Sequence, residues 1–343
     1  MKYKLFKLKF VSPLHIGTNR PGFESSDEIL HSDTLFSALV NCWSQLYPDD
    51  LNLFFPKEAK SLVIPFFAIS SAFPYMKERL YFPKPYLPLD IPKEITEANP
   101  NLSKKLKSIT YFSQTLFEKV ISNEEIRIST DWISADGRFA HSKTLSKREA
   151  GEIPFVMVDV PRIVKDRMTD EATPFHFTRI QFYKDAGLFF LAKFQNDEWE
   201  KKFTAVLRLL GDTGIGGDRS VGHGLFQVKL IDDIDICTPK EPSHFLTLSL
   251  YHPTVAEAKN INMEASYQIV ERKGWIFSGN SKPLRRQAVR MFREGSVFPG
   301  KAETCGDTII VLKKQPELNL HHDVFRFGQA LVVPVHKGGQ NHG

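Results

Sequence analysis

Two stretches of this 343-residue chain concentrate residues able to do chemistry. In GDTGIGGDRSVGHGLF, Gly211 to Phe226, six glycines fall within fourteen residues, with Arg219, Ser220 and His223 among them. Between Glu271 and Arg293 stand seven cations, Arg272, Lys273, Lys282, Arg285, Arg286, Arg290 and Arg293, against the single acid Glu271. The whole chain carries a formal charge of only +5, so this segment can hold all of its net positive charge. Trp275, Phe277 and Phe292 are interleaved with the cations. Arginine forks bind phosphate bidentately and stack on bases in ways lysine does not.

A glycine loop that cradles a nucleotide runs strand, loop, helix, so that the helix N-terminus faces the phosphates. Here the helix-like WEKKFTAVLRLL precedes the glycines and the strand-like GLFQVKL follows, with no G-K-[ST]. A nucleoside triphosphate site is excluded on this segment. Two readings remain: close packing of the loop on a neighbouring element with a C-cap at Gly211, or a seat for an extended ligand. Asp212 and Asp218 nearly cancel Arg219 and Lys229, so the loop offers backbone N–H groups rather than charge. That suits a phosphodiester backbone.

The basic segment reads as a solvated face or as a nucleic-acid contact. As a strand it places Arg286, Ala288, Arg290 and Phe292 on one face; as a helix it lines up Arg286, Arg290 and Arg293. The turn-like SGNSKP before it and EGS after it favour the strand.

Catalysis is the rival chemistry. Metal-independent RNA cleavage needs a base, an acid and a cation for the phosphorane, which His15, His31 and His223 with Arg219 could supply. His15 also reads as a strand-end contact, and Asp33 as a helix N-cap. The HHD at His321–Asp323 precedes a terminal strand and lacks the helix-borne ligands of a metal phosphohydrolase. Cys42, Cys237 and Cys305 form no C-x-x-C pair, which fits a reducing compartment. Lysines interrupt the opening MKYKLFKLKF, so it is no signal peptide, and no apolar run reaches the ~18 residues of a membrane span. A cytoplasmic protein without membrane contact or cofactor is expected.

These residues need elements to hold them. The opening decapeptide reads as a strand whose lysines change face, with a bulge near Leu5–Phe6. SDTLFSALVNCWSQL has helical spacing, with Leu35, Leu39 and Cys42 on one face, Phe36 and Trp43 beside it, and Ser32 or Asp33 capping. Prolines 65, 74, 83, 85 and 88 assign the next segment to edge strands or a rigid loop. YFSQTLFEKVIS suggests a helix, and residues 131–175 a projecting insertion. HFTRIQFY, GLFFLAKF, WEKKFTAVLRLL, the glycine loop and GLFQVKLI then read strand, strand, helix, loop, strand. CTPKEPS (237–243) marks a boundary, after which a shorter copy of the same grammar follows. The expected class is α+β, with two ferredoxin-like (RRM-like) domains in tandem at 1–240 and 241–343, the first swollen by insertions and carrying the glycine-rich loop 211–224.

PLHIG (Pro13 to Gly17), SDTLFSAL and TGIGGDRSVGHGLF together resemble the RAMP superfamily of CRISPR proteins. LRRQAVRMFREGSVF in the second half narrows the resemblance to the fourth-subunit family of type III-A (Csm) effector complexes, whose type III-B counterpart has similar architecture. The resemblance implies a non-catalytic subunit that caps the repeat-derived 5′ handle of crRNA and touches target RNA only indirectly. It implies the large multidomain subunit and the backbone subunit as partners. It also implies a β-hairpin thumb, which maps to the insertion around Lys143, Lys147 and Arg148. The candidate RNA contacts are then those three with His15, Gly17, Arg20, Gly214, Gly216, Gly217, Arg219, Ser220 and His223, and with Lys282, Arg285, Arg286, Arg290, Arg293 and Ser296. The alternative within the superfamily is an endoribonuclease that processes CRISPR precursor RNA.

Overall fold

A computed structural model describes residues 1–17, 26–56, 61–165, 172–276, 284–302 and 304–338. Its first strand, β1 (Lys2–Phe10), leads to helix α1 (Ser32–Leu46) and then to two short strands in succession, β2 (Phe67–Ile69) and β3 (Phe73–Met76). Strand β4 (Ala186–Phe194), helix α2 (Asp197–Thr213) and strand β5 (Phe226–Asp235) complete a βαββαβ frame. The strands lie in the order β5-β1-β4-β3, all antiparallel, with β2 also on β4. This is the 4-1-3-2 order of a ferredoxin-like sheet.

The bulge expected in β1 occurs slightly earlier, where the register against β5 slips between Tyr3 and Leu5. Lys7 is nevertheless buried, because its Nζ reaches the Lys77 carbonyl and the Glu78 carboxylate, each at 3.0 Å. Helix α1 buries Leu35, Phe36, Leu39, Cys42 and Trp43 as its spacing predicts. Its cap differs from expectation. His31 holds the N-cap position without a side-chain bond; the Ser32 N–H donates to Ser71 Oγ, and the Ser32 hydroxyl accepts from Leu250 N–H. Helix α2 is capped by Asn196, whose side chain accepts from Trp199 N–H, and buries Trp199, Phe203, Val206, Leu207 and Leu210. Its C-cap is Gly214 rather than Gly211.

The proline-rich segment lies inside the sheet, not at its edge. Strand Arg79–Pro83 sits between β3 and Tyr111–Ser113, and Phe139–Ala140 closes that side. Pairing of Arg79–Pro83 with β3 begins at Tyr75, just after Pro74, and its pairing with Tyr111–Ser113 ends at Pro83, while Pro74 itself lies within the β3–β4 ladder opposite Leu188. Helix Gln114–Ile121 packs on these strands. From the same insertion rises a hairpin of Phe155–Lys165 and Ala172–Phe182 with unbroken pairing along its length. The projecting hairpin is therefore 155–182, displaced from the expected 131–175.

Beyond the 237–243 connection come β6 (His244–Thr247), the one-turn helix α3 (Val255–Lys259), β7 (Ile269–Trp275), β8 (Arg285–Phe292), β9 (Val297–Pro299) and β10 (Ala330–Val335). A second sheet runs β9-β6-β10 and then Thr304–Cys305, while β7 and β8 pair as a separate hairpin. The main hydrophobic core crosses the boundary: Leu246, Leu248, Val297, Phe327, Leu331 and Val333 pack in one cluster with Leu5, Leu35 and Phe67. Strand Ser61–Leu62 also pairs with Thr308–Leu312. Among the described residues no helix is long and apolar enough to cross a membrane.

Candidate nucleic-acid interface

The glycine loop and PLHIG, some 200 residues apart in sequence, are seamed together. Gly217 N–H donates to the His15 carbonyl at 2.9 Å, and Gly224 N–H to the Pro13 carbonyl at 2.8 Å. Gly216 has φ +90°, and a Cβ there would stand 2.2 Å from the His15 carbonyl oxygen. Gly224, at φ +75°, would place one 1.9 Å from the Ile215 carbonyl oxygen. No side chain fits either position. Gly214 and Gly217 likewise lie hard against His223 and His15. The space on the Cβ side of Gly214, Gly216 and Gly217 is thus occupied by the chain itself, so internal packing is sufficient to require glycine there. Along the loop Ser220, Val221 and Gly222 are exposed, as are Asp212 and Thr213 before it, while Gly216, Gly217, Asp218 and Arg219 are half-buried.

The insertion hairpin closes over this seam. Leu14 and Ile180 exchange both backbone hydrogen bonds, and His15 Nδ1–H donates to the Thr178 carbonyl at 2.7 Å, which leaves Nε2 as the free ring nitrogen. The His15 ring packs on Phe177 at 4.2 Å, and the Arg162 guanidinium covers the same ring at 4.1 Å while pairing with Asp218. His223 is buried, with Nδ1 unpartnered, as is Arg179 Nε. Burial lowers the His223 pKa; Asp218 opposes this, and Arg162 and Arg179 reinforce it. The sequence reading missed Arg162, Phe177 and Arg179. The signal was present in HFTRIQFY, where Phe177 and Arg179 alternate onto one face of a recognised strand.

Lys143, Lys147 and Arg148 are exposed but do not belong to the hairpin. Lys147 and Arg148 open the short helix Lys147–Gly151 and Lys143 precedes it; Lys143 lies 3.6 Å from Glu149 and Arg148 3.7 Å from Glu152. Gly17 is exposed and bridges to Ser26. Arg20 and Lys282 lie outside the described residues.

The basic segment is a strand, as expected, but its cations divide. Arg290 is exposed opposite Glu271, and Arg285 is exposed with its guanidinium 4.9 Å from the Trp275 ring. Arg293 is half-buried. Ser296 is fully buried and donates its hydroxyl to the Arg293 carbonyl, so it supports the hairpin's exit from within rather than lining a surface. Phe292 turns inward against Tyr251 and Phe298 instead of standing with Arg290. A register shift between Arg272 and Gly274 also turns Arg286 inward, and it is half-buried.

Arg272 leaves the surface altogether. Its Nε and Nη2 grip the two Asp33 oxygens at 3.0 Å each, and Arg326 Nη1 donates to Asp33 as well. Asp33 is therefore a buried counter-ion, not an N-cap. Burial would raise its carboxyl, but Arg272 and Arg326 hold it well below the usual range. Next to it, His31 Nδ1 lies 2.7 Å from Glu294, and Nε2 lies 3.2 Å from Asp27. Burial disfavours the imidazolium, yet Glu294 and Asp27 prevail against Arg272 and raise its pKa to about 9. His31 is sealed inside this joint and reaches no substrate.

A sequence model of the RAMP superfamily matches residues 7–227, and one of the CRISPR Csm4 C-terminal domain matches residues 240–335. A curated relative from Thermococcus onnurineus (strain NA1), "CRISPR system Cms protein Csm4", is 27% identical over 321 residues, covering 90% of this chain and 92% of the relative. One of the same name from Methanocaldococcus jannaschii is 24% identical over the full length of both chains. Among solved structures, a Csm3–Csm4 subcomplex of the type III-A CRISPR-Cas interference complex has a TM-score of 0.64 at 20% identity, covering 98% of this chain and all of that one. A Csm1–Csm4 cassette in complex with cA4 has a TM-score of 0.61 at 21% identity, covering 99% and 100%. At such identities the solved structures bear on the fold, a mixed α+β arrangement consistent with tandem ferredoxin-like domains.

Proposed function

The chain belongs to the RAMP superfamily, and on that footing we propose that it is a non-catalytic crRNA-binding subunit of a type III-A CRISPR effector complex. It caps the 5′ handle of the crRNA and bridges the large subunit to the backbone subunits in antiviral defence. The relatives' names and the Csm1–Csm4 and Csm3–Csm4 pairings support the placement. The observation that carries RNA binding is the solvent face of the β7–β8 hairpin, where Arg285 stacks on Trp275 and Arg290 stands free of core contacts. A second contact surface is the seam at the root of the insertion hairpin, where His15, Arg162, Phe177, Arg179 and His223 gather beside Arg219 and Ser220. In this reading the insertion hairpin is the thumb, and residues 1–240 and 241–343 are two ferredoxin-like domains sharing one core.

The commitment of His31 to Glu294 and Asp27 supports a binding role over cleavage, since it removes one histidine from the trio that catalysis would recruit. Affinity purification of the tagged protein from its host, with sequencing of bound RNA, tests the proposal. Small RNAs sharing one repeat-derived 5′ end, together with a large and a backbone subunit, are expected. RNA-free protein would favour a pure scaffold, and long precursors cut at one repeat position by this chain alone would favour the endoribonuclease.

A further inference from the structure

The buried joint gathers three guanidiniums, Arg272, Arg286 and Arg326, and the imidazole of His31 around three carboxylates, Asp27, Asp33 and Glu294. Among the described residues Asp33 is the one acid to which Arg272 and Arg326 donate; His31 engages Asp27 and one oxygen of Glu294, whose Oε2 is left without a partner. Arg326 is 3% exposed, and while its Nη1 reaches Asp33, its Nε and Nη2 find no partner. Arg286 Nε is also buried without a partner. Val289 and Met291 of β8 pack in one cluster with Ile309, Val311 and Val324, which brings β8 against the strand that carries Arg326; burial and then Arg326 push the Arg286 pKa down to about 10. A buried donor left unmade, and still more a buried cation short of counter-charge, is expensive and uncommon in a native fold. The Nε and Nη2 of one guanidinium form a fork that matches two oxygens of a tetrahedral anion.

We propose that Arg286 and Arg326 together hold a phosphate-class oxyanion at the base of the β7–β8 hairpin, between β8 and strand Val324–Phe327. The anion supplies acceptors to the unpartnered donors and screens the two guanidiniums from one another. Arg286, being half-buried, forms the solvent side of the site, and Arg326 forms its floor. Asp33 opposes an incoming anion, but it is already shared between Arg272 and Arg326. Free inorganic phosphate and a backbone phosphate of RNA offer the same oxygens. The site stands on the unpartnered nitrogens of Arg286 and Arg326 and would exist whether or not the RNA-binding reading holds.

Thermal unfolding of the full chain, with phosphate exchanged for chloride at constant ionic strength, tests it. Wild type should gain about 3–6 °C in a saturable manner. Arg286→Met should lose that gain while melting no lower than wild type without phosphate, since it removes a repelled charge. This variant separates site occupancy from the general stabilisation that phosphate gives any fold. A shift no larger than in chloride, or one unchanged in Arg286→Met, would overturn the proposal. Single-stranded RNA distinguishes the sources. If RNA abolishes the further phosphate shift, a backbone phosphate occupies the site; if the two shifts add, the site takes the free anion.

Discussion

Arg272 and Arg290 lie on paired strands of one hairpin, one residue out of register, and do opposite things. Arg272 turns inward opposite Val289 and is fixed to Asp33; Arg290 turns outward opposite Glu271 and meets solvent. The inner region joins the two halves of the chain by buried ion pairs, whereas the outer region offers cations and an aromatic ring to whatever approaches. The difference teaches that a run of arginines is not one feature. Strand alternation and the position of a few carboxylates decide which guanidiniums are structural and which remain available.

The most severe way to break this contrast is Asp33→Ala, which strands Arg272 and Arg326 in the interior. We expect a loss of about 3–5 kcal/mol in urea unfolding; a loss under about 1 kcal/mol would mean the joint is no different from a surface pair. Next is pH. His31 titrates near 9 when folded and near ~6.5 when unfolded, so its stabilisation is complete below pH ~6.5 and is lost as pH rises through about 9. A decline on the order of 3 kcal/mol across that window is expected, and His31→Gln should flatten it. A wild-type profile level over the same range would sink the assignment.

The outer region predicts smaller effects on folding. Arg290→Ala should change stability by less than about 0.5 kcal/mol yet weaken RNA binding. With about five phosphate contacts, log K against log salt should slope near −3.5, and this variant should flatten the slope by roughly 0.7. An unchanged slope would remove Arg290 from the interface. The smallest effect belongs to the Trp275–Arg285 stack. A double-mutant cycle with Trp275→Leu and Arg285→Ala should return a coupling of about 0.5–1 kcal/mol in RNA affinity, and zero coupling would make the stack incidental.

The periodic elements were legible because their signals are local. The apolar spacing of α1 and α2 survives into the structure, and GLFFLAKF is the strand it was read as, buried along most of its length. The strand reading of Arg285–Phe292 also held, since turn residues flank it. What was not legible depends on contacts between distant residues. Nothing beside Asp33 in the sequence announces Arg272 and Arg326, so a local N-cap was the cheaper explanation. The packing at Gly216 and Gly217 was not legible because His15, which lies against both, is about 200 residues away. The insertion hairpin was placed too early because charge and turn residues in 131–153 were weighed above the long alternation that follows.

The joint also sets a timetable. Its members are drawn from both extremes of the chain: 263 residues separate His31 from Glu294, and 293 separate Asp33 from Arg326. At ~5–20 residues per second of synthesis, Asp33 waits roughly 15–60 s for its second arginine. During that interval the nascent first half carries an acid and an imidazole at the mouth of α1 with their partners still untranslated. Until Arg326 is made, water is the remaining partner for that end of the helix, and closing the joint expels it.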